Sequence, residues 1–434
     1  MHTSLSTCAF VAAAGAATLL LTSAPAAAAG SGSTIQVDVA SDGTPANAAA
    51  FFADISADGR YVAFASNASN LVPGDVNNVT DVFVRDTVGG TTTLVSGAPN
   101  GQPGLGAADT QVAISGNGRY VAFSSLAPNL VTGDTNNRLD VFVRDRQTGV
   151  TTRVSVFAGD RQIPATSVTP TISDNGRYVT FVTGPPAGTD DEGLPINSST
   201  AFVHDRQTGR TTRASRQANG GTNLEVLNAA ISGNGKRVVF RGLGDWIGDG
   251  ATNSGIFVHD LASRVTVRAD VPAGGGAAIP SISRDGTRVG LVTGDPYVPA
   301  DTNGTVDVYV RDLITDTTTL VSFNQSGTGA GNDISSESEI SGDGRHVVFT
   351  SIATDLVAGD VNGPARDVFL RDLNTGRTTA ISVTPAGTTS NGDSSGTVAS
   401  ANGSRVVFRS TATDLGVGPG GGGQHLYRRC LRNC

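Results

Sequence analysis

One nine-residue pattern, Ser-x-(Asp/Asn)-Gly-x-x-Val-x-(Phe/Leu), constrains the fold of this chain more than any other feature, because it occurs seven times. The successive copies are separated by 59, 58, 59, 51, 58 and 59 residues. Self-similarity at a nearly fixed period is the signature of an architecture built from stacked structural units. The copies begin at Ser56, Ser115, Ser173, Ser232, Ser283, Ser341 and Ser400.

Each unit has the composition of four short antiparallel strands. The Asp-Gly or Asn-Gly pair inside the pattern predicts a tight hairpin, since these residues tolerate positive φ. A second hexamer reads DVFVRD at 81–86 and 140–145, and DVYVRD and DVFLRD at 307–312 and 367–372. It leads into an RDxxTG turn, as at 144–149, and then into a Thr-rich segment such as TTTLVS at 91–96.

A four-stranded sheet exposes both faces, and seven such sheets cover their faces by packing radially around a channel. We therefore predict an all-β protein, a seven-bladed β-propeller of four-stranded antiparallel blades spanning residues 30–434, with the hexamer as third strand. The last unit ends before a fourth strand, whereas TIQVDV at 34–39 belongs to no unit. This N-terminal strand is expected to complete the last blade. The units are predicted to start near residues 51, 110, 168, 227, 278, 336 and 396.

The pattern SxDGRYVAFxS followed by DVFVRD resembles the WD40-like (PD40) repeat of TolB-type propellers, and the resemblance covers all seven units. Two departures limit what it implies. The turn never contains the proline of the family's S-P-D-G, and the chain has no room for the additional N-terminal α/β domain of TolB. The resemblance thus implies the propeller fold, but not TolB's role in the cell envelope.

The first 29 residues resemble an export signal, with an apolar run from Ala9 to Leu21 and small residues before Gly30. A membrane anchor is the alternative, but it needs about 20 apolar residues. We expect the signal to be removed, leaving no transmembrane segment and a secreted or cell-envelope protein. The net charge of −8 argues against nucleic-acid binding, which depends on Lys and Arg.

Two cysteines remain after residue 29, Cys430 and Cys434. Export permits a disulfide between them. A bridge from i to i+4 requires Cα atoms within about 7 Å, which a turn allows and an extended strand does not. Free thiols, a metal role or an intermolecular role are the alternatives.

A recurrent polar constellation follows the second strand of four units, as in GDVNNVTD at 74–81. Closely spaced Asp and Asn oxygens suit Ca²⁺. Asx-turns, in which these side chains bond nearby backbone N–H groups, explain the same residues without metal. Both alternatives stay open, so calcium is a candidate and no cofactor is certain. The candidate metal ligands are Asp75, Asn77, Asp81, Asp134, Asn136, Asp140, Asp301, Asn303, Asp307, Asp360, Asn362 and Asp367.

We identify no catalytic residues. GDSSG at 392–396 matches a nucleophile elbow, but neither the hydrolase sheet nor the following helix is predicted there. His204, His259 and His346 replace other residues at repeated positions, which indicates structural roles. Enzymatic activity is therefore the less favoured alternative: a hydrolase or lyase acting on polysaccharide or peptide through carboxylates at the channel mouth. Asp54, Glu337 and Glu339 on first strands are the candidates.

Strand order places both tight turns on one side of the propeller, and the loops between second and third strands, with the inter-blade connections, on the other. We call the latter the long-loop face and expect it to bind ligand. The favoured function is a non-enzymatic, monomeric scaffold that binds protein or glycan there. Trp246 beside acidic residues suits a sugar or a cationic peptide, although filling a gap in a shortened blade is the alternative. The ligand-binding candidates are Asp190, Asp191, Glu192, Asp245, Trp246 and Asp249.

Overall fold

The computed structural model describes residues 32–185, 188–217, 221, 224–248, 250, 254–270, 280–417 and 423–432. These residues form seven four-stranded antiparallel sheets and a two-stranded ribbon, and contain no helix. The prediction of a seven-bladed β-propeller is confirmed. Within the described part of the chain, no helix has the length and apolar character needed to cross a membrane.

The first three blades have these strands. Blade 1 comprises β2 (Ala50–Ile55), β3 (Tyr61–Ser66), β4 (Asp81–Asp86) and β5 (Thr91–Leu94). Blade 2 comprises β6 (Ala108–Ile114), β7 (Tyr120–Ser125), β8 (Asp140–Asp145) and β9 (Val150–Arg153). The ribbon β10 (Val156–Phe157) and β11 (Arg161–Gln162) precedes blade 3, which comprises β12 (Ser167–Ile172), β13 (Tyr178–Thr183), β14 (Thr200–Asp205) and β15 (Arg210–Arg213).

The remaining blades complete the ring. Blade 4 comprises β16 (Val226–Ile231), β17 (Arg237–Leu243), β18 (Ser254–Asp260) and β19 (Thr266–Arg268). Blade 5 comprises β20 (Ser281–Ile282), β21 (Arg288–Thr293), β22 (Asp307–Asp312) and β23 (Thr317–Leu320). Blade 6 comprises β24 (Ser335–Ile340), β25 (His346–Ser351), β26 (Asp367–Asp372) and β27 (Arg377–Ala380). Blade 7 comprises β28 (Ser394–Ala399), β29 (Arg405–Ser410), β30 (His425–Cys430) and β1 (Thr34–Gln36).

The N-terminal strand closes the ring. β1 pairs antiparallel with β30, with Thr34 opposite Arg429 and Gln36 opposite Tyr427. The N–H of Val37 continues the ladder by donating to the carbonyl of Leu426 at 2.8 Å. The last blade is thus built from both ends of the described chain, as the sequence predicts.

The residues of the repeated hexamer have specific packing and hydrogen-bonding partners in neighbouring strands and blades. In blade 1, Val82, Phe83 and Val84 are fully buried. Phe83 faces the cluster shared with blade 7, whereas the two valines face the cluster shared with blade 2. The carboxylate of Asp86 accepts two hydrogen bonds from the guanidinium of Arg60, at 2.9 and 2.6 Å. The recurrence of the hexamer therefore reflects one packing arrangement repeated around the ring.

The glycine of each tight turn is required by backbone and by packing. Gly118 has φ of +71°, which L side chains rarely adopt. A Cβ atom there would also collide with the ring of Tyr61 from blade 1. The hydroxyl of Ser115 accepts the N–H of Tyr120 at 3.0 Å and fixes the returning strand. The tight turns therefore interlock neighbouring blades.

Candidate functional site

The four loops that contain the candidate metal ligands lie on the long-loop face, and we call them the Asp-x-Asn loops. Their Asp and Asn side chains form hydrogen bonds within each blade and with the connection that follows it. In blade 1, the amide nitrogen of Asn77 donates to a carboxylate oxygen of Asp81 at 2.7 Å and to the carbonyl of Gly104 at 3.0 Å. Its amide oxygen accepts the N–H of Val79 at 3.2 Å, as in an Asx-turn. The other carboxylate oxygen of Asp81 accepts the Ser96 hydroxyl at 2.5 Å. This network connects the long loop to the following inter-blade connection.

Blades 5 and 6 repeat the network. Asn303 donates to Asp307 at 2.8 Å and to the carbonyl of Gly331 at 2.7 Å. Asn362 donates to Asp367 at 2.8 Å and to the carbonyl of Ser390 at 2.6 Å. Hence the asparagines contact the carboxylates through their nitrogens, which cannot bind a cation.

Blade 2 achieves the same connection with a different residue. Asn136 donates to the carbonyl of Ile163 at 2.9 Å, but the amide of Gln162 takes over the contact with the carboxylates. It donates to Asp134 and to Asp140, at 2.8 Å each. Arg153 also lies near Asp134, with nitrogen and oxygen 3.7 Å apart.

Several aspartates of these loops, and of the strands that follow them, are poorly solvated. Burial and the nearby Asp81 raise the pKa of Asp75 to about 6. Burial likewise raises the pKa of Asp307 to about 6 and that of Asp367 to about 7. Asp301 accepts a hydrogen bond from the hydroxyl of Tyr309, and Asp360 accepts one from Thr389 at 3.3 Å. Turn hydrogen bonding thus accounts for the arrangement, while calcium binding at the predicted ligands stays a prediction.

No group of three or more His, Cys, Asp and Glu side chains is arranged to hold a metal ion in the described part of the chain.

In blade 7, His425 and Asp38 take the places that Asp81 and Ser96 have in blade 1, and the Nδ1 atom of His425 lies 2.7 Å from a carboxylate oxygen of Asp38. Asp38 also accepts the N–H of Leu426 at 3.1 Å. It therefore occupies the position of Ser96 in blade 1, and holds the closing strand by a buried polar contact.

The acidic cluster at 190–192 is neutralised by arginines. Asp190 forms a buried ion pair with Arg213 at 2.9 Å. Asp191 accepts the N–H of Ala158 at 2.9 and 3.0 Å. Glu192 lies beside three guanidinium groups, those of Arg210, Arg216 and Arg264. The cluster therefore joins blades 3 and 4, and its role as a ligand site stays a prediction.

Trp246 is 1% exposed and packs between aromatic rings of blade 4. Its ring centroid lies 4.9 Å from that of Phe240 and 6.0 Å from that of Phe257. A Cβ atom at Gly242 would collide with the indole, so the small residue makes room for it. This position agrees with the gap-filling alternative. Asp245 accepts the N–H groups of Gly248 and Gly250 at 2.6 and 3.1 Å, and Asp249 lies outside the described residues.

A cavity of about 290 Å³ occupies the central channel. The first strand of every blade contributes an equivalent residue to its lining. This residue comes directly before the last residue of the first strand, which is Ile in most blades. Asp54 accepts the N–H of Ile114 in the next blade at 2.7 Å, and Thr171 accepts that of Ile231 at 3.0 Å. Polar residues at this level therefore connect blades. The seven equivalent residues are Asp54, Ala113, Thr171, Ala230, Ser281, Glu339 and Val398.

Two of the three predicted channel carboxylates share this level. Burial, together with the charge of Asp54, raises the pKa of Glu339 to about 8. Burial raises the pKa of Asp54 to about 6 despite its two backbone hydrogen bonds. Glu337 is exposed, and its carboxylate accepts the N–H of Gly396 at 2.6 Å. At neutral pH the channel can thus hold a protonated glutamic acid whose pKa responds to the charge of an aspartate at the same level.

At the tight-turn end of the channel, contacts join the turns of different blades, and the sequence analysis did not predict them. Backbone N–H groups of the turns donate to carbonyls of the next blade, as from Ala57 to Gly116 at 2.9 Å. Asp174 and Arg284 form an ion pair beside Gly233, where a Cβ atom would collide with both. The only signal in the sequence is that charged residues replace small ones at the second position of these two turns.

The remaining residues considered in the sequence analysis are two histidines, the GDSSG segment and the cysteines. Burial lowers the pKa of His204 and of His259 to about 4, and each ring contacts a threonine hydroxyl at 2.9 Å. Ser394 begins strand β28 rather than a strand-to-helix turn, so GDSSG has no elbow geometry. Cys430 is disulfide-bonded. Cys434 lies outside the described residues, so its pairing with Cys430 stays a prediction.

No protein-family model and no curated protein matches this chain. Among solved structures it is similar to oligogalacturonate lyase from Vibrio parahaemolyticus, at 12% identity over 92% of this chain and 98% of that one, with a TM-score of 0.54. The β-propeller domain of the Trilobed protease from Pyrococcus furiosus has 14% identity over 90% and 97%, with a TM-score of 0.52. TolB from Acinetobacter baumannii has 15% identity over 69% of this chain and a TM-score of 0.40, and the chain spans 58% of its length. The similarities to the lyase and to the protease domain show a shared propeller fold. Membership in the TolB-type repeat family stays a prediction.

Proposed function

We propose that the chain is an exported, non-enzymatic scaffold whose long-loop face binds a protein or glycan in the cell envelope or outside the cell. The observation that carries this proposal is the combination of fixed loops and exposed apolar side chains on one face. The Asn77 network and its counterparts hold the loops, and Val76, Leu105 and Val361 project from them at 75, 75 and 69% exposure. A preorganised surface loses less entropy on binding than a mobile one.

The tight-turn face offers a matched control. Val88 and Ile314 lie in second hairpin turns and Val150 directly follows one, and these residues are 74, 68 and 54% exposed. We compare a variant with Val76, Leu105 and Val361 replaced by Asp with one in which the three control residues are replaced by Asp. Binding of residues 30–434 to immobilised envelope and secreted fractions of the producing cell is the readout.

We expect the long-loop variant to lose most of its binding, about tenfold or more, because charge at apolar contacts must be desolvated. The control variant should bind as the unmodified protein does. Protease or glycosidase treatment of the fractions then identifies the ligand class. Equal binding by all three proteins, or a loss confined to the control variant, contradicts the proposal.

Export is supported by the signal-like residues 1–29 and by the disulfide bond of Cys430, since disulfides persist in oxidising compartments. The domain boundary near residue 30 is part of this proposal. N-terminal sequencing of the protein recovered outside the cytoplasm tests both. An intact Met1 in the recovered protein contradicts removal of the signal.

A second candidate function, hydrolysis or elimination on a polysaccharide or peptide, is favoured by the raised pKa of Glu339 in the central channel that Asp54 also lines. A protonated carboxylic acid at neutral pH is suited to general acid catalysis. Assays on panels of polysaccharides and peptides, with Glu339→Gln as the inactive control, test it. Turnover that this variant abolishes supports the enzyme over the scaffold.

A further inference from the structure

A second cavity, of about 490 Å³, lies at the outer edge of blade 6 where the connection from blade 5 passes over it. We call it the blade-6 pocket. Phe323, Leu356 and Val357 form its apolar walls, and Arg371 and Arg377 line it as well. None of the described residues that line it is Asp or Glu, although the chain carries a net charge of −8. Its size and mixed lining are typical of a site for a small molecule.

The pocket coincides with a longer inter-blade connection. The bridge between Phe323 and Ala330 spans seven positions, whereas the equivalent bridge between Gly97 and Pro103 spans six. The N–H of Gln325 donates to the carbonyl of Asp355 at 2.9 Å and holds the longer connection against the long loop of blade 6. The pocket wall is therefore fixed by a backbone hydrogen bond.

Arg371 occupies a repeated position whose arginines in blades 1 and 2 bond the preceding connection. In blade 1, Arg85 donates to the carbonyls of Ala40 and Gly90, at 3.1 and 3.0 Å. In blade 2, Arg144 donates to the carbonyl of Gly97 at 3.5 Å. These guanidinium groups satisfy part of their hydrogen-bonding capacity with backbone oxygens.

Arg371 makes no such bond within the described part of the chain. It donates to the hydroxyl of Thr378 at 2.9 Å, and its guanidinium carbon lies 5.6 Å from the ring centroid of Phe323. It has no ion-pair partner among the described residues. Burial lowers its pKa without a compensating carboxylate. A guanidinium group has five N–H donors, and this one lines the pocket while donating to a single hydroxyl among the described residues.

We propose that the blade-6 pocket binds a small organic carboxylate, with the guanidinium of Arg371 pairing with the carboxylate and Phe323 and Leu356 covering the apolar body. The planar guanidinium matches a carboxylate through two parallel hydrogen bonds. The apolar walls favour a ligand with a ring or alkyl group over a bare inorganic anion. The pocket borders the long-loop face, because Phe323 lies in an inter-blade connection and Leu356 in a long loop. A small-molecule ligand nevertheless goes beyond the proposed function, which concerns a protein or glycan.

Isothermal titration calorimetry on residues 30–434 tests the site with phenylacetate as the probe. Phenylacetamide has the same shape without the charge, and inorganic phosphate has charge without the apolar body. The variant Arg371→His follows blades 3 and 4, where His204 and His259 fill the same position and contact Thr211 and Thr266. It is therefore compatible with the fold. Arg144→His is the matched control in blade 2.

We expect saturable binding of phenylacetate in the millimolar range or tighter, and about tenfold weaker binding of phenylacetamide and of phosphate. Arg371→His should weaken phenylacetate binding about tenfold, while Arg144→His leaves it unchanged. Phe323→Gly, which restores the glycine of blade 2, should weaken it as well. Absence of phenylacetate binding, equal loss in both histidine variants, or phosphate binding as tight as phenylacetate overturns the proposal.

Discussion

Replacing Glu339 by glutamine should stabilise the protein at alkaline pH and leave its stability unchanged in acid. The side chain lies in the central channel, where burial and the charge of Asp54 raise its pKa from 4.5 to about 8. Glutamine has nearly the shape of the protonated acid but never ionises. The variant therefore removes one titration from the folded state without creating a cavity.

The sign of the pH dependence follows from the number of protons bound by the folded and unfolded states. Between pH 4.5 and about 8 the folded protein holds a proton on Glu339 that the unfolded chain has released. Stability from the protonated acid is thus fully present below pH 4.5 and is lost as pH rises to about 8. The rise in pKa from 4.5 to about 8 corresponds to a loss of at most about 5 kcal/mol in the free energy of unfolding. Water in the channel screens the carboxylate, so we expect about 2 kcal/mol.

Equilibrium urea unfolding at pH values from about 4.5 to 9 measures this difference between Glu339→Gln and the unmodified protein. Glu337→Gln is the matched control, because Glu337 lies two residues earlier on the same strand and is exposed. We expect an advantage for Glu339→Gln that grows with pH and is absent from the control. An advantage that is the same at every pH, or a loss of stability at pH 9, refutes the argument.

Three further predictions follow from other contacts. Millimolar calcium should not raise the melting temperature, because hydrogen bonds already engage the loop carboxylates; a rise that Asp301→Ala abolishes would instead establish a metal site. Asp38→Ala should lower the free energy of unfolding by about 3 kcal/mol, against about 1 kcal/mol for Ser96→Ala. The former removes a buried carboxyl group that accepts hydrogen bonds from Gln36 and Leu426 and contacts the imidazole of His425 at the ring closure. Gly118→Ala should lower the melting temperature more than Gly43→Ala does, because both glycines have positive φ but only the former contacts a neighbouring side chain. Equal shifts in these last two variants would show that backbone strain alone matters.

The fold was predictable from sequence because its determinants are local and repeated. The turn at Ser56, the third strand at 81–86 and the N-terminal strand at 34–39, which belongs to no repeat unit, each carry their own signal. Contacts across the ring carry no such signal. Asp174 and Arg284 are separated by 110 residues, and only ring closure brings them together. The raised pKa of Glu339 likewise depends on which side of its strand faces the channel.

The position of Arg371 shows a second limit. Its residue type matches the repeat, so the sequence gives no reason to distinguish it from Arg85 or Arg144. The structural difference lies in the neighbouring connection, which is one residue longer than the connections beside Arg85 and Arg144. Departures in loop length therefore deserve the same weight as departures in residue type when repeats are compared.

The pairing of Thr34 with Arg429 determines how the molecule can be oriented on a support. β30 runs towards the tight-turn face, and its antiparallel partner β1 begins there, so the chain enters and leaves the described structure on the same side. A tag, lipid or fused module joined at either end would anchor the propeller by its tight turns. The long-loop face would then point away from the support, towards whatever approaches from solution.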